Sequence, residues 1–253
     1  MNIAVITGAS SGLGREFVHL ADAAGVDEIW VIARRKDRLE ALKETVHTPL
    51  RIFAGDVTQQ STWQIIEQEL RQRQPVVRVL INNAGLGKIG NAGDISREDI
   101  HAMIAVNCEA AVMMTELCLP FMVMGSHIGQ ICSVAAFQPI PYLNVYAATK
   151  AFLYRYSRAL EMELKPRGIT VTAVCPYWVR DTEFISIAQQ TRNSSYFRHF
   201  LFSGTQADTA RKAFRDICRG RSVSMPGMMA ILDRLAAKLI PAGIMMRLVQ
   251  LFR

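Results

Sequence analysis

Tyr146 and Lys150, in the run Tyr146-Ala147-Ala148-Thr149-Lys150, are the side chains of this sequence best suited to moving a proton. On a helix, residues i and i+4 share a face, roughly 6 Å apart. A free phenol titrates near pH 10 and is a poor base at neutrality, with a reference pKa of about 10. A fixed ammonium beside it favours the phenolate and lowers that pKa. The pair then suits proton transfer to or from a substrate oxygen. The spacing alone is common by chance, so it gains weight from company. Ser133 follows an apolar run, Asn82-Asn83-Ala84-Gly85 ends another, and Asn107 falls inside a helical stretch, where asparagine is intrinsically unfavourable. Each also has a purely structural reading. Ser133 caps a helix, Asn82 and Asn83 form turns, and Asn107 bonds backbone in the core. Jointly, in this order, they are hard to explain as packing.

A second constellation lies at the N-terminal end. Thr7-Gly8-Ala9-Ser10-Ser11-Gly12-Leu13-Gly14 follows the first apolar run. Glycines let a backbone turn sharply and approach a pyrophosphate closely, and a helix that follows points free N–H groups and its positive dipole end at the phosphates. The spacing is GxxxGxG rather than GxGxxG. A tight packing turn is the bland reading. Position favours the phosphate site, because the turn joins the first strand to the first helix. About 20 residues on, where a carboxylate would hold a ribose 2′-hydroxyl, the sequence reads Arg34-Arg35-Lys36. A guanidinium binds a 2′-phosphate bidentately, so NADP(H) is expected over NAD(H).

Short apolar runs alternate with helical periodicity. Strands are predicted at Ile3–Thr7, Ile29–Ala33, Arg51–Gly55, Val77–Ile81, His127–Cys132 and Thr170–Val174, with a short seventh near Ser222–Met225. Helices are predicted at Gly12–Ala24, Lys36–Thr45, Gln60–Arg73, Glu98–Val123 and Leu143–Pro166. Continuous apolar runs are what parallel strands buried on both faces require. Repeated βα units of this kind predict an α/β fold, a doubly wound parallel sheet of six to seven strands with helices on both faces. With no linker or solenoid repeat, residues 1–253 read as one domain.

Composition excludes several classes. Of 253 residues, 50% are hydrophobic and 20% charged, which is globular rather than disordered. The five cysteines form no CxxC pair, so reduced thiols in a cytoplasmic compartment are expected and a metal site is not. No signal peptide or unbroken apolar span of membrane length is evident. The net charge of +7 lies in the tail, where nine Lys and Arg from residue 209 on face only Asp216 and Asp233. The segment from about 226 to 253 is basic and amphipathic. It reads as a solvated helix face first, and otherwise as a contact for a membrane surface, a partner subunit or the mouth of the pocket. No nucleic-acid motif accompanies the charge.

These pieces together resemble the short-chain dehydrogenase/reductase family, in its single-domain branch. The match runs over the glycine turn, Asp56-Val57, Asn82-Asn83-Ala84-Gly85, Asn107, Ser133, Tyr146 and Lys150. The resemblance implies a Rossmann-type fold and hydride transfer between nicotinamide C4 and a ketone or secondary alcohol. It gives Tyr146 the general acid/base role, Ser133 the orientation of the substrate oxygen, Lys150 the nicotinamide ribose, and Asn107 a water of the proton relay. Cofactor contacts would come from Gly8, Ser10, Ser11, Gly12, Leu13 and Gly14, then Arg34, Arg35, Asp56 and Val57. Asn83, Ala84, Gly85, Tyr146 and Lys150 follow, then Pro176, Val179 and Thr182. A homodimer or homotetramer is the family's habit. One departure stands out. The family's Pro-Gly-x-Val-x-Thr is replaced by Pro176-Tyr177-Trp178-Val179-Arg180-Asp181-Thr182, so a bulky Tyr177 stands for glycine and the threonine arrives one residue late.

Apolar side chains crowd the segments expected to cover a substrate. They are Phe137, Ile140, Tyr142 and Leu143, then Phe184, Ile185, Ile187, Tyr196, Phe197, Phe200, Leu201 and Phe202. Pockets for bulky apolar ligands are lined this way; closing a core or an oligomer contact is the equal alternative. A steroid-like or fatty acyl ketone is expected. The rivals are a non-catalytic NADP(H)-binding regulator, which has no need of a proton relay, and an epimerase or dehydratase of a longer branch.

Overall fold

The strands are apolar because both of their faces are covered. In β1 (Asn2–Thr7) every residue after Asn2 is buried, and in β2 (Glu28–Ala33) every residue after Glu28. The computed structural model describes residues 1–192 and 203–251. Its remaining strands are β3 (Leu50–Ala54), β4 (Val76–Asn82), β5 (His127–Ile131), β6 (Thr170–Val174) and β7 (Val223–Ser224). All pair in parallel, in the order β3-β2-β1-β4-β5-β6-β7. The predicted sheet is thus present, with the seventh strand reduced to two residues.

Two apolar layers hold it. On one face α1 (Gly12–Ala23), α2 (Lys36–Lys43) and α8 (Gln206–Cys218) bury Phe17, Leu39, Phe214 and Ile217 against the strands. On the other, α3 (Gln60–Arg73), α5 (Ala110–Cys118) and α6 (Asn144–Leu164) bury Ile66, Leu70, Met114, Leu160 and Leu164. A fully buried aliphatic side chain contributes about 1.5–3 kcal/mol, so these layers are the main force fixing the sheet.

The stretch predicted as one helix at Glu98–Val123 is more interesting. It comprises α4 (Arg97–Ile104), a π-helical turn at Ala105–Glu109, α5, and a 3-10 turn at Leu119–Phe121. Asn107 sits in the π turn. Residues 97–121 are long and apolar enough to cross a bilayer, but half of that stretch is buried within the protein, as a core helix is. Beyond β6 come α7 (Glu183–Ala188), α9 (Met228–Leu239) and α10 (Ala242–Leu251), with Pro241 between the last two. The outward face of α9 shows Met228, Leu232, Leu235 and Leu239, all at least half exposed.

Candidate active site

In a parallel sheet the carboxyl ends of all strands open on one edge, and ligands collect there. Here that edge forms a cleft of about 1120 Å³. Of the expected site residues, Gly8, Ser10, Ser11, Gly12, Leu13, Arg34, Arg35, Asp56 and Val57 line it, as do Asn83, Ala84, Gly85, Ser133, Tyr146, Lys150, Pro176, Val179 and Thr182. Asn107 and Gly14 do not. Both are buried behind the wall, and the contacts they make are with neighbouring residues. Of the apolar cover, Tyr196, Phe197, Phe200, Leu201 and Phe202 lie outside the described residues.

The glycine turn fits a dinucleotide pyrophosphate. Gly8 and Gly12 have φ of 67° and 56°, a left-handed backbone that favours glycine. Ser11, the N-cap of α1, makes no side-chain capping bond, and no acidic residue stands in the first turn. The first N–H groups of α1 therefore remain as donors for an anion. Asn83 braces the turn from β4. Its Nδ2 donates to the carbonyls of Thr7 (3.0 Å) and Gly8 (3.2 Å), while the backbone N–H groups of Asn83 and Ala84 both donate to Thr7 Oγ1. Asn82 points the other way, donating to Ala111 O and Thr115 Oγ1 in α5, and is structural.

Arg35 extends over the turn from the end of β2. Its Nη2 donates to Ser11 Oγ (2.7 Å) and Ser10 Oγ (3.2 Å), and its Nη1 to Glu183 Oε2 (2.7 Å). Arg34 is exposed and forms no such bond among the described contacts. Asp56, after β3, accepts from the backbone and hydroxyl of Thr58.

The proton-transfer end is built from three elements. Ser133 leaves β5 and caps a short turn, its Oγ accepting from Ala135 N. Tyr146 and Lys150 come from α6. Lys150 Nζ donates to Ile131 O (2.7 Å) and stands 5.8 Å from the Tyr146 ring centre. Asn107 anchors the π turn to two other segments. It accepts from Leu86 N (2.9 Å) and donates to Leu86 O (2.8 Å) and Thr149 Oγ1 (3.0 Å). Thr149 in turn donates to Tyr146 O (2.8 Å). π turns occur often at functional sites, and this one ties the segment after β4 to the helix turn that carries Tyr146. Thr149 escaped the sequence reading because a threonine inside a helix carries no local signal; it lies three residues past Tyr146, where its hydroxyl reaches back to the i−3 carbonyl.

The electrostatics differ from the expectation in one respect. Burial pushes the Tyr146 phenol above its usual value, and the interaction with Ser133 opposes that only in part. Burial also lowers the Lys150 ammonium. Desolvation disfavours the charged form of each group, so the Tyr146 phenol holds its proton at neutral pH.

The late threonine follows a tight backbone turn. Asp181 adopts φ of 61°, which aspartate tolerates better than most residues, and Arg180 N and Trp178 O pair with Gly204. Thr182 Cγ2 then stands 3.5 Å from the place of a Cβ on Gly12, and Tyr177 and Trp178 line the cleft.

Asp233 of α9 also lines the cleft, with Oδ2 buried and unbonded. Burial raises its pKa from 3.8 to about 6. A raised carboxyl binds its proton more tightly in the folded state, so stability falls as pH rises from about 4 to 6 and stays reduced above. Asp233→Asn is expected to unfold about 1–2 kcal/mol harder than wild type at pH 8, after allowing for partial exposure, with the gap closing near pH 4. Thermal melts at both pH values test this; an unchanged gap would remove the carboxyl as its cause.

A parallel sheet with a glycine-rich turn after β1 and a Tyr–Lys–Ser group at β5 and α6 defines a nicotinamide-dependent oxidoreductase acting on CH–OH and C=O groups. The family profile described as short chain dehydrogenase matches residues 2–193. The chain belongs to the short-chain dehydrogenase/reductase family. A sulfoacetaldehyde reductase of Chromohalobacter salexigens is 36% identical, over 81% of this chain and 82% of that one. A short-chain dehydrogenase from Sphingobium yanoikuyae in complex with NADPH superposes with a TM-score of 0.79 at 27% identity, over 97% and 95% of the two chains. A bulky-bulky ketone specific alcohol dehydrogenase from Comamonas testosteroni gives 0.74 at 25%, over 95% and 94%. Such relatives, named reductases and dehydrogenases, leave the non-catalytic reading without support.

Proposed function

We propose that this protein is an NADP(H)-dependent reductase of bulky apolar ketones, such as steroid-like or fatty acyl substrates. The lining of the cleft's catalytic end carries this reading. Ile140, Leu143, Trp178, Ile185, Ile187 and Met229 wall it, and Asp233 adds a carboxyl. Apart from Lys150, the lysines and arginines of the lining are Arg34 and Arg35 at the far end. A sulfonated aldehyde, as the name of the Chromohalobacter relative implies for that enzyme, would bring an anion into an apolar wall beside a carboxyl, and unpaired buried charge is costly. The ketone named for the Comamonas enzyme suits the wall better. Arg35 supports the 2′-phosphate, and the free thiols support a reducing, cytoplasmic setting.

A bound NADPH supplies the hydride. This chain's residues supply the rest. Ser133 holds the carbonyl oxygen, and Tyr146 gives it the phenolic proton as the carbon is reduced. Lys150 is held 2.7 Å from Ile131 O, fixed to bind the cofactor's ribose. Asn107 and Thr149 lock the Tyr146 turn in place.

The test is NADPH and NADH oxidation by the purified protein against steroid ketones, 3-oxoacyl thioesters and sulfoacetaldehyde. NADPH-dependent turnover of an apolar ketone is expected, with kcat/KM for sulfoacetaldehyde lower by about 10²-fold or more, since one unmatched buried charge exceeds the discrimination of a missing methylene. A preference for sulfoacetaldehyde would overturn the substrate class, and a preference for NADH the cofactor.

A further inference from the structure

Three consecutive residues at the start of α7 touch three separate parts of the cleft. Thr182 stands over Gly12 of the glycine turn, at the 3.5 Å given above. Glu183 pairs with Arg35 (2.7 Å) and with Arg38 (2.8 Å), one helical turn further along α2. Phe184 packs its ring on Tyr146, with centroids 5.6 Å apart. The segment therefore straps the cleft from the cations after β2 to the phenol on α6.

The strap has a chemical consequence at Arg35. The guanidinium spends Nε and Nη2 on Ser10 and Ser11 and Nη1 on Glu183. Arg35 is also the cation that suits a 2′-phosphate. A phosphate monoester and a carboxylate both seek the forked N–H face of arginine, and two anions at one cation repel at close range. Glu183 thus occupies, from within the chain, an anion position on the selectivity residue.

We propose that Glu183 is a specificity-determining residue that competes with the cofactor's 2′-phosphate for Arg35. Binding of a 2′-phosphorylated nucleotide exchanges carboxylate for phosphate on Arg35 and leaves Glu183 on Arg38 alone, shifting the start of α7. A nucleotide with a free 2′-hydroxyl leaves the Arg35–Glu183 pair intact. The consequence for chemistry is that the identity of the cofactor is felt at Phe184, which rests on the acid Tyr146. This inference rests on the NADP(H) reading above, and its test separates the two.

The test uses the full chain and two nucleotides without a nicotinamide, 2′,5′-ADP and 5′-AMP, by titration calorimetry. Glu183 is a surface residue, its side chain 41% exposed, so Glu183→Gln keeps the fold. Glu183→Gln is expected to bind 2′,5′-ADP about three- to tenfold tighter than wild type, the scale of an exposed ion pair, with 5′-AMP unchanged. Hydrogen exchange on the wild type gives a second readout: 2′,5′-ADP speeds exchange at residues 183–188 and 5′-AMP does not. Weaker binding of 2′,5′-ADP by the variant would overturn the competition and make Glu183 an orienter of Arg35. Equal binding, or exchange blind to the 2′-phosphate, would overturn it as well. Wild-type protein that cannot tell 2′,5′-ADP from 5′-AMP, with a variant that cannot either, would overturn the NADP(H) reading itself.

Discussion

Tyr146→Phe is expected to lower kcat for ketone reduction by about 10²–10⁴-fold, the scale of a lost general acid. Only an oxygen is removed. The ring keeps its packing on Phe184 and on the cluster of Ile89, Leu143 and Ala188, so the melting temperature is expected to change little. The main-chain bond that Tyr146 O accepts from Thr149 is untouched. Lys150 keeps Ile131 as its partner, so NADPH affinity is expected to stay within about twofold. The loss therefore falls in kcat and equally in kcat/KM, the mark of an interaction made in the transition state. Single-turnover NADPH oxidation and NADPH binding, measured side by side, check it. A variant that keeps more than a tenth of the rate would remove Tyr146 as the acid. The sign of the phenol's shift adds a pH signature. Burial holds it above its usual value, so kcat/KM for reduction has no alkaline fall below about pH 10 from this group. A fall centred near neutrality would show that Lys150 outweighs burial after all.

What could be read from sequence divides along a physical line. The strands were legible because burial on both faces leaves runs such as Ile3-Ala4-Val5-Ile6 without a polar break. Tyr146, Lys150, Ser133 and the glycine turn were legible because each sits at a strand end or a helical spacing that local geometry dictates. Glu183 and Thr149 were not. Their partners Arg35 and Asn107 are 148 and 42 residues away, and only the crossing of strands brings them together. The π turn hid for the same reason. Asn107 marks it, but the groups it bonds are the backbone of Leu86, in a different segment. The late threonine shows the converse. Thr182 comes one residue late in sequence, yet beyond the left-handed step at Asp181 it lines the cleft beside the glycine turn.

Gly14 separates packing from binding most sharply. The glycine motif places it among the cofactor contacts, yet it does not line the cleft. Helix propensity alone predicts that Gly14→Ala stabilises the protein by about 1 kcal/mol, since Gly14 lies inside α1. Sterics predict the opposite. A Cβ there would stand 2.1 Å from Gly8 O and 2.6 Å from Asn83 Nδ2, and neither can withdraw cheaply. Gly8 O is backbone of the turn, and Asn83 Nδ2 is bonded to Thr7 O and Gly8 O. Relief requires α1 to lift from β1. Overpacking of this kind costs about 1–3 kcal/mol, and leaving buried polar atoms unmatched costs about 1–3 kcal/mol more. Net of propensity, Gly14→Ala is expected to lose about 2–4 kcal/mol, a large share of a total of about 5–15 kcal/mol. Because the lifted helix carries the N–H groups proposed to face the phosphates, 2′,5′-ADP affinity is expected to fall by at least about tenfold, the scale of a 1.4 kcal/mol misfit. Gly243 in α10 is the control, since nothing lies within 4 Å of a Cβ there; Gly243→Ala is expected to be neutral or stabilising by about 0.5 kcal/mol. Urea unfolding and nucleotide titration on both variants decide the matter. If Gly14→Ala instead matched the control, α1 would have to move freely on β1, and the glycine turn would lose its rigid seat. Binding lost in step with stability would place Gly14 where the structure does, behind the site and holding it in shape.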